Sequence, residues 1–186
     1  MLGLMHRALL RMIEESAGPE AVAEVLDHAE IPRDRYFRLD EDYSDSEWRH
    51  LLSATCERLG LAQADAEERF ATHFLADSLQ RWPAWFEMAA DARSFLTLQP
   101  SIHNGFYTGL GDVEARRRMN EKFKIEAFDG FLVARYQSPN RLCGLYEALA
   151  RRVIAHYGDD ARVEHATCMK AGYPSCEIRI SWQKEG

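Results

Sequence analysis

The sequence has no run of about twenty apolar residues, the length an α-helix needs to cross a bilayer core, so no membrane-spanning helix is expected. It also has no cationic surplus. With 30 acidic against 23 basic residues the formal charge is −7, and Arg116-Arg117-Arg118 is a short basic run. Neutralising phosphates takes clustered Lys and Arg, so nonspecific nucleic-acid binding is not expected. The start, Met1-Leu2-Gly3-Leu4-Met5-His6-Arg7, lacks both a long apolar core and a small-residue cleavage site, which reads as a cytoplasmic, unprocessed chain. Cysteines are few: Cys56, Cys143, Cys168 and Cys176, three of them in the last quarter. In a reducing compartment that clustering points to metal or redox chemistry rather than a disulfide framework. Enzyme signatures are missing too. There is no GxxxxGK[ST] phosphate loop, GxSxG elbow, HExxH, or HxE with PCxxC, and the acidic residues read as solvated helix faces, so catalysis is not expected.

What is present is an ordinary globular composition, 46% hydrophobic and 28% charged over 186 residues, enough for one domain with a sizeable core. Apolar residues recur at helical spacing from Leu4 to Ile13, and Pro19 opens a short second helix that Ile31-Pro32 ends. A connector over 34–43 leads to Ser44-x-x-Glu47, a capping-box pattern ahead of Trp48, Leu51 and Leu52, with Gly60 closing that helix. A further helix is predicted from about Gln63 to Leu79, stopped by Trp82-Pro83, and another over Trp85 to Leu98, interrupted by Pro100 just before His103. Residues 105–120 read as a loop or a poorly regular helix. The period then changes to two: Phe123, Ile125 and Ala127 alternate, Asp129-Gly130 is a hairpin signal, and 131–136 returns as the partner strand. Ser138-Pro139 reads as the start of a helix through Leu142, Leu145, Leu149 and Val153, followed by strands over about 162–167 and 176–182. Helices first and a mostly antiparallel sheet later make the class α+β.

Cys143, then His165-x2-Cys168, then Cys176 offer three thiols and an imidazole, the donor set of a closed tetrahedral zinc site. Unlinked buried thiols and a buried histidine fit the same residues. His103 follows Phe95, Leu96 and Leu98 on an apolar helix face, where an imidazole is either a satisfied core residue or an axial haem ligand. Tyr136-Gln137-Ser138-Pro139-Asn140-Arg141 offers a phenol, a hydroxyl, an amide and a guanidinium, suited to carboxylates or simply to a strand end and helix cap.

Taken in order, Met1-Leu2-Gly3 with its amphipathic helix, Ser101-Ile102-His103, Tyr136-x-Ser138, and the block from Arg141-Leu142-Cys143 to Thr167-Cys168-Met169 resemble the haem nitric-oxide/oxygen-binding (H-NOX) family over nearly the whole chain. The resemblance implies one H-NOX domain over 1–186, with a helical subdomain (about 1–62) packed on a haem- and zinc-binding α/β subdomain (about 63–186) that carries the sheet. It implies that His103 is the proximal ligand of haem b and that Tyr136 and Ser138 bind the propionates. It also implies Zn2+ at Cys143, His165, Cys168 and Cys176, as in the zinc-bearing bacterial stand-alone subgroup. In the Tyr-x-Ser-x-Arg motif Asn140 stands where the family carries Arg, and Arg141 comes one residue late. Leu145 occupies the place of the tyrosine that holds O2 in oxygen-binding members. With Met5, Phe74 and Leu149 it makes an apolar lining that favours NO and CO over O2, while Tyr146 falls off that stripe. Ala71 stands where relatives often carry a hinge glycine. The resemblance further implies release of His103 on NO binding and a signal passed in trans to a histidine kinase or a diguanylate cyclase. The rival reading is a haem-independent zinc/thiolate redox sensor, or an interaction module on the same fold.

Overall fold

Leu4, Ala8, Leu9, Met12 and Ile13 form one buried stripe, and α1 (Gly3–His28) is built on it. The helix is kinked where the sequence signals a restart. Gly18 is non-helical, at φ 84° and ψ 171°, a conformation open to glycine, and Pro19 resumes the helix. Gly3 is required for a different reason: a β-carbon there would meet the Arg38 carbonyl oxygen at 2.0 Å. Ser44 Oγ accepts the Glu47 amide at 3.1 Å and starts α2 (Asp45–Leu59), and Gly60, at φ 62°, ends it. Beside them His6 is wholly buried, stacked on Phe37 at 4.6 Å and edge-on to Trp48 at 5.3 Å.

The computed structural model describes residues 1–108 and 113–182 and divides into two compact units, Met1–Asp77 and Ser78–Gly186. The division falls late in α3 (Gln63–Arg81), one helix further along than the approximate 62/63 boundary of the sequence reading. Ala71 is buried within that continuous helix.

After the end of α3 the second unit continues with a short helix, α4 (Pro83–Glu87), and α5 (Ala92–Thr108), not the single stretch expected over 85–98. Pro100 does not interrupt α5. Proline forfeits one backbone hydrogen bond, but Phe95 and Leu96 on the same helix are buried, and that packing outweighs the loss. Of the two readings of 105–120, a loop or a poorly regular helix, the described residues take the helical one, through Thr108 and again in α6 (Val113–Lys122), while residues 109–112 lie outside those described.

The hairpin is found where alternation placed it: β1 (Phe123–Phe128) and β2 (Phe131–Tyr136) pair antiparallel across Asp129-Gly130, with Gly130 at φ 80°. After α7 (Cys143–Tyr157), β3 (Ala161–Thr167) and β4 (Cys176–Trp182) complete an antiparallel sheet of order β1-β2-β4-β3. Successive side chains alternate faces, so Leu132, Ala134, Cys176, Ile178 and Ile180 share one buried face, and α7 lies against β3 and β4. On the other face Arg135 pairs with Glu126 at 3.6 Å and Glu177 at 3.4 Å. The class is α+β as expected. One boundary is corrected: Ser138-Pro139 does not begin α7, because Arg141 stands at φ 50° and the helix starts only at Cys143.

Candidate functional site

The α5 helix presents His103 toward the start of β1, where its ring lies 5.3 Å from that of Phe123. The residue keeps a fringe of exposure, but Nδ1 is enclosed and has no hydrogen-bond partner. Burial lowers its pKa from 6.5 to about 4, because the imidazolium would lose its hydration. The ring is therefore neutral at pH 7, the form that donates a nitrogen lone pair to a metal. A buried imidazole nitrogen without a partner is costly in a satisfied core, and it fits an axial ligand. The ring of Tyr146, buried and with its hydroxyl unpartnered, also lies against Phe123, at 5.1 Å. The same α7 carries Leu145, buried, and Leu149, half-buried.

Between β2 and α7 the chain makes a tight non-helical turn. Tyr136 Oη accepts the Leu142 amide at 3.2 Å, and buried Ser138 accepts the Asn140 amide at 3.3 Å. A hydroxyl that accepts an amide still has a proton to donate, which suits carboxylates such as propionates. Asn140 is buried and Arg141 exposed. Residues 138–142 are not helical, and Arg141 stands at φ 50° with its side chain exposed. Met5 and Phe74 belong to the first unit, both half-buried, with Phe74 stacked on Phe70 at 5.6 Å.

The structure brings the four C-terminal donors together. One ligand atom each from Cys143, His165, Cys168 and Cys176 lies within 4.8 Å of the others. Cys143 opens α7, His165 precedes a register shift in β3, Cys168 follows that strand, and Cys176 begins β4. Cys143 Sγ and Cys168 Sγ are 3.7 Å apart, and a tetrahedral zinc with Zn–S bonds of about 2.3 Å sets its sulfurs about 3.8 Å apart. Burial pushes the Cys143 thiol up to about 12, with Cys176 and Cys168 adding to the shift. Partial burial also acts to raise Cys168, but the Lys170 and Ala171 amides and the two neighbouring thiols hold it below the usual thiol value. Crowded thiols with one favoured as thiolate are the electrostatics a divalent cation relieves. His165 Nδ1 is 3.0 Å from Glu147 Oε2, and Nε2 is buried without a partner. Sequence reasoning missed Glu147, since its link to His165 spans eighteen residues and only its spacing to Arg151 is legible locally.

No described helix is long and apolar enough to cross a membrane. No curated protein matches the chain in sequence. Among solved structures, the chain is similar to an H-NOX protein from S. oneidensis in the Fe(II)NO state, with a TM-score of 0.75 and 21% identity over 99% of this chain and 100% of that one. An unliganded Fe(II) H-NOX protein from K. algicida gives 0.74 and 18% over 100% and 98%. The NMR structure of an H-NOX domain from Shewanella oneidensis in the Fe(II)CO state gives 0.73 and 22% over the full length of both chains. At such identities the likeness speaks for the fold. The haem-NO-binding family model (HNOB) matches residues 2–165. The chain belongs to the haem-NO-binding, or H-NOX, family of haem-based gas sensors.

Proposed function

We propose that this chain is a sensor of NO and CO that holds haem b through His103 and acts on a partner protein in trans. The observation that carries the reading is the enclosed, unpartnered Nδ1 of a neutral His103 on α5. Haem supplies, when bound, a ferrous centre that takes a diatomic gas. His103 would hold that centre and so would couple α5 to it through a single side chain, and a helix held in this way is a two-state element that a partner such as a histidine kinase or a diguanylate cyclase could read. Tyr136 and Ser138 orient the propionates. On α7, Leu145 and Leu149 offer no hydrogen-bond donor, which disfavours O2 relative to NO and CO. No residue is assigned a catalytic role. Cys143, His165, Cys168 and Cys176 would hold Zn2+, which would join α7 to β3 and β4 in a structural role. The chain works in the cytoplasm.

The test is to express the protein with ample haem, then record the absorption spectrum before and after NO, beside the His103→Gly variant. A haem-replete wild type that responds to NO, and a variant whose pigment is lost or spectrally altered, is the expected result. A wild type that stays colourless refutes the proposal. The buried neutral Asn140 at the arginine position of the propionate motif favours a second reading, a haem-independent sensor in which a peroxide takes two electrons from two zinc-bound thiolates, the sulfurs join as a disulfide while the peroxide is reduced to water, and the metal is released. Colourless protein with one zinc, and zinc loss on mild oxidation, is what that reading expects.

A further inference from the structure

Behind the metal cluster stands a carboxylate with both oxygens engaged. Cys143, Glu147 and Arg151 follow at i, i+4 and i+8 on one face of α7. Glu147 Oε2 lies 3.0 Å from His165 Nδ1, and Oε1 takes the Arg151 guanidinium. The carboxylate is mostly buried, with 18% of its side chain exposed, whereas Arg151 is half exposed. A carboxylate can only accept, so it holds the proton of His165 on Nδ1 and leaves the lone pair on Nε2. That second nitrogen is the one buried without a partner.

We infer that Glu147 is the positioning residue of the metal site: it fixes the tautomer and ring orientation of His165, and Arg151 fixes Glu147. The inference rests on the zinc reading above. A carboxylate behind a ligating imidazole both orients the ring and raises its basicity, and removing such a partner typically weakens metal binding about 10- to 100-fold. Arg151 reaches the metal only through Glu147, so its truncation has the smaller effect.

Zinc affinity of the purified full chain is measured by chelator competition for wild type, Glu147→Ala, Glu147→Gln and Arg151→Ala, with circular dichroism as the check on folding. Glu147→Ala is expected to bind zinc about 10- to 100-fold more weakly. Glu147→Gln, whose amide oxygen still accepts from Nδ1, recovers most of the affinity. Cobalt substitution supplies a second readout, since thiolate charge-transfer bands persist in Glu147→Ala while the ligand-field bands shift as His165 loosens. In a His165→Ala background, Glu147→Ala adds nothing. Unchanged affinity in Glu147→Ala, equal losses in the Ala and Gln variants, or a full additive loss in the His165→Ala background overturns the inference while leaving the zinc site intact. A wild type that takes up no zinc overturns the site and the inference together.

Discussion

Acid should loosen the first unit through one residue, His6. The side chain is completely buried, with Phe37 against its face and Tyr43 and Trp48 around it, and Nδ1 bonds the Leu2 carbonyl at 3.2 Å. Burial lowers its pKa from 6.5 to about 4; the Leu2 carbonyl and Asp42 act the other way, while the Met1 ammonium and Arg35 add to the drop. Glu47 Oε1, 3.8 Å from Nε2, is too distant for a hydrogen bond. The unfolded chain takes up a proton near 6.5 and the native chain only near 4, so stability is whole above 6.5 and declines as pH falls toward 4. The linkage integral gives a loss of about 1.4 kcal/mol by pH 5.5 and about 2.5 kcal/mol by pH 4.5, relative to pH 7.5. Urea unfolding followed by tryptophan fluorescence at those three pH values measures it, in wild type and in His6→Phe. The variant forgoes the bond to Leu2 and loses about 1 kcal/mol at pH 7.5. Its decline with acid should be shallower than wild type by the amounts above, because all other titrating groups are common to both. Parallel declines would refute the buried, neutral His6.

Replacing Cys143 or Cys176 by Ser should lower zinc content and melting temperature together; unchanged values in metal analysis and calorimetry would exclude the cluster as a site. Leu145→Tyr should slow oxygen loss from the ferrous protein in stopped-flow traces, since it restores a donor on the α7 face assigned to the pocket, and an unaltered rate would displace Leu145 from that wall. Tyr157→Phe removes the 2.7 Å bond to the Phe86 carbonyl and should cost about 1 kcal/mol in denaturant melts; a neutral result would mean that water replaces the phenol there.

The elements that sequence periodicity reads well are those whose stabilising contacts are near in sequence. Ser44 and Gly60 bracket α2 because a cap and a left-handed glycine act within one turn. The hairpin follows from Asp129-Gly130 and the alternation on either side. Pro100 misled because helix propensity is local while the burial that overrides it is not. Ser138-Pro139 carries a helix-start signal, yet both motif hydroxyls are tied into a turn by the amides of Asn140 and Leu142. The four candidate metal donors are legible from residue type and spacing, and the fold adds that they meet. Glu147 was not, since a carboxylate on an exposed-looking helix position gives no sign that a strand places an imidazole over it. Tyr146, read as lying off the pocket stripe, is buried against Phe123 with its hydroxyl unpartnered, a placement that helical period alone does not convey.

The most direct measurement is the resonance Raman spectrum of the unliganded ferrous protein. An iron–histidine stretching band that vanishes in His103→Gly and returns when free imidazole is supplied is the predicted result. A band that survives the substitution, or a wild type with none, would contradict the assignment of residue 103 as the tether.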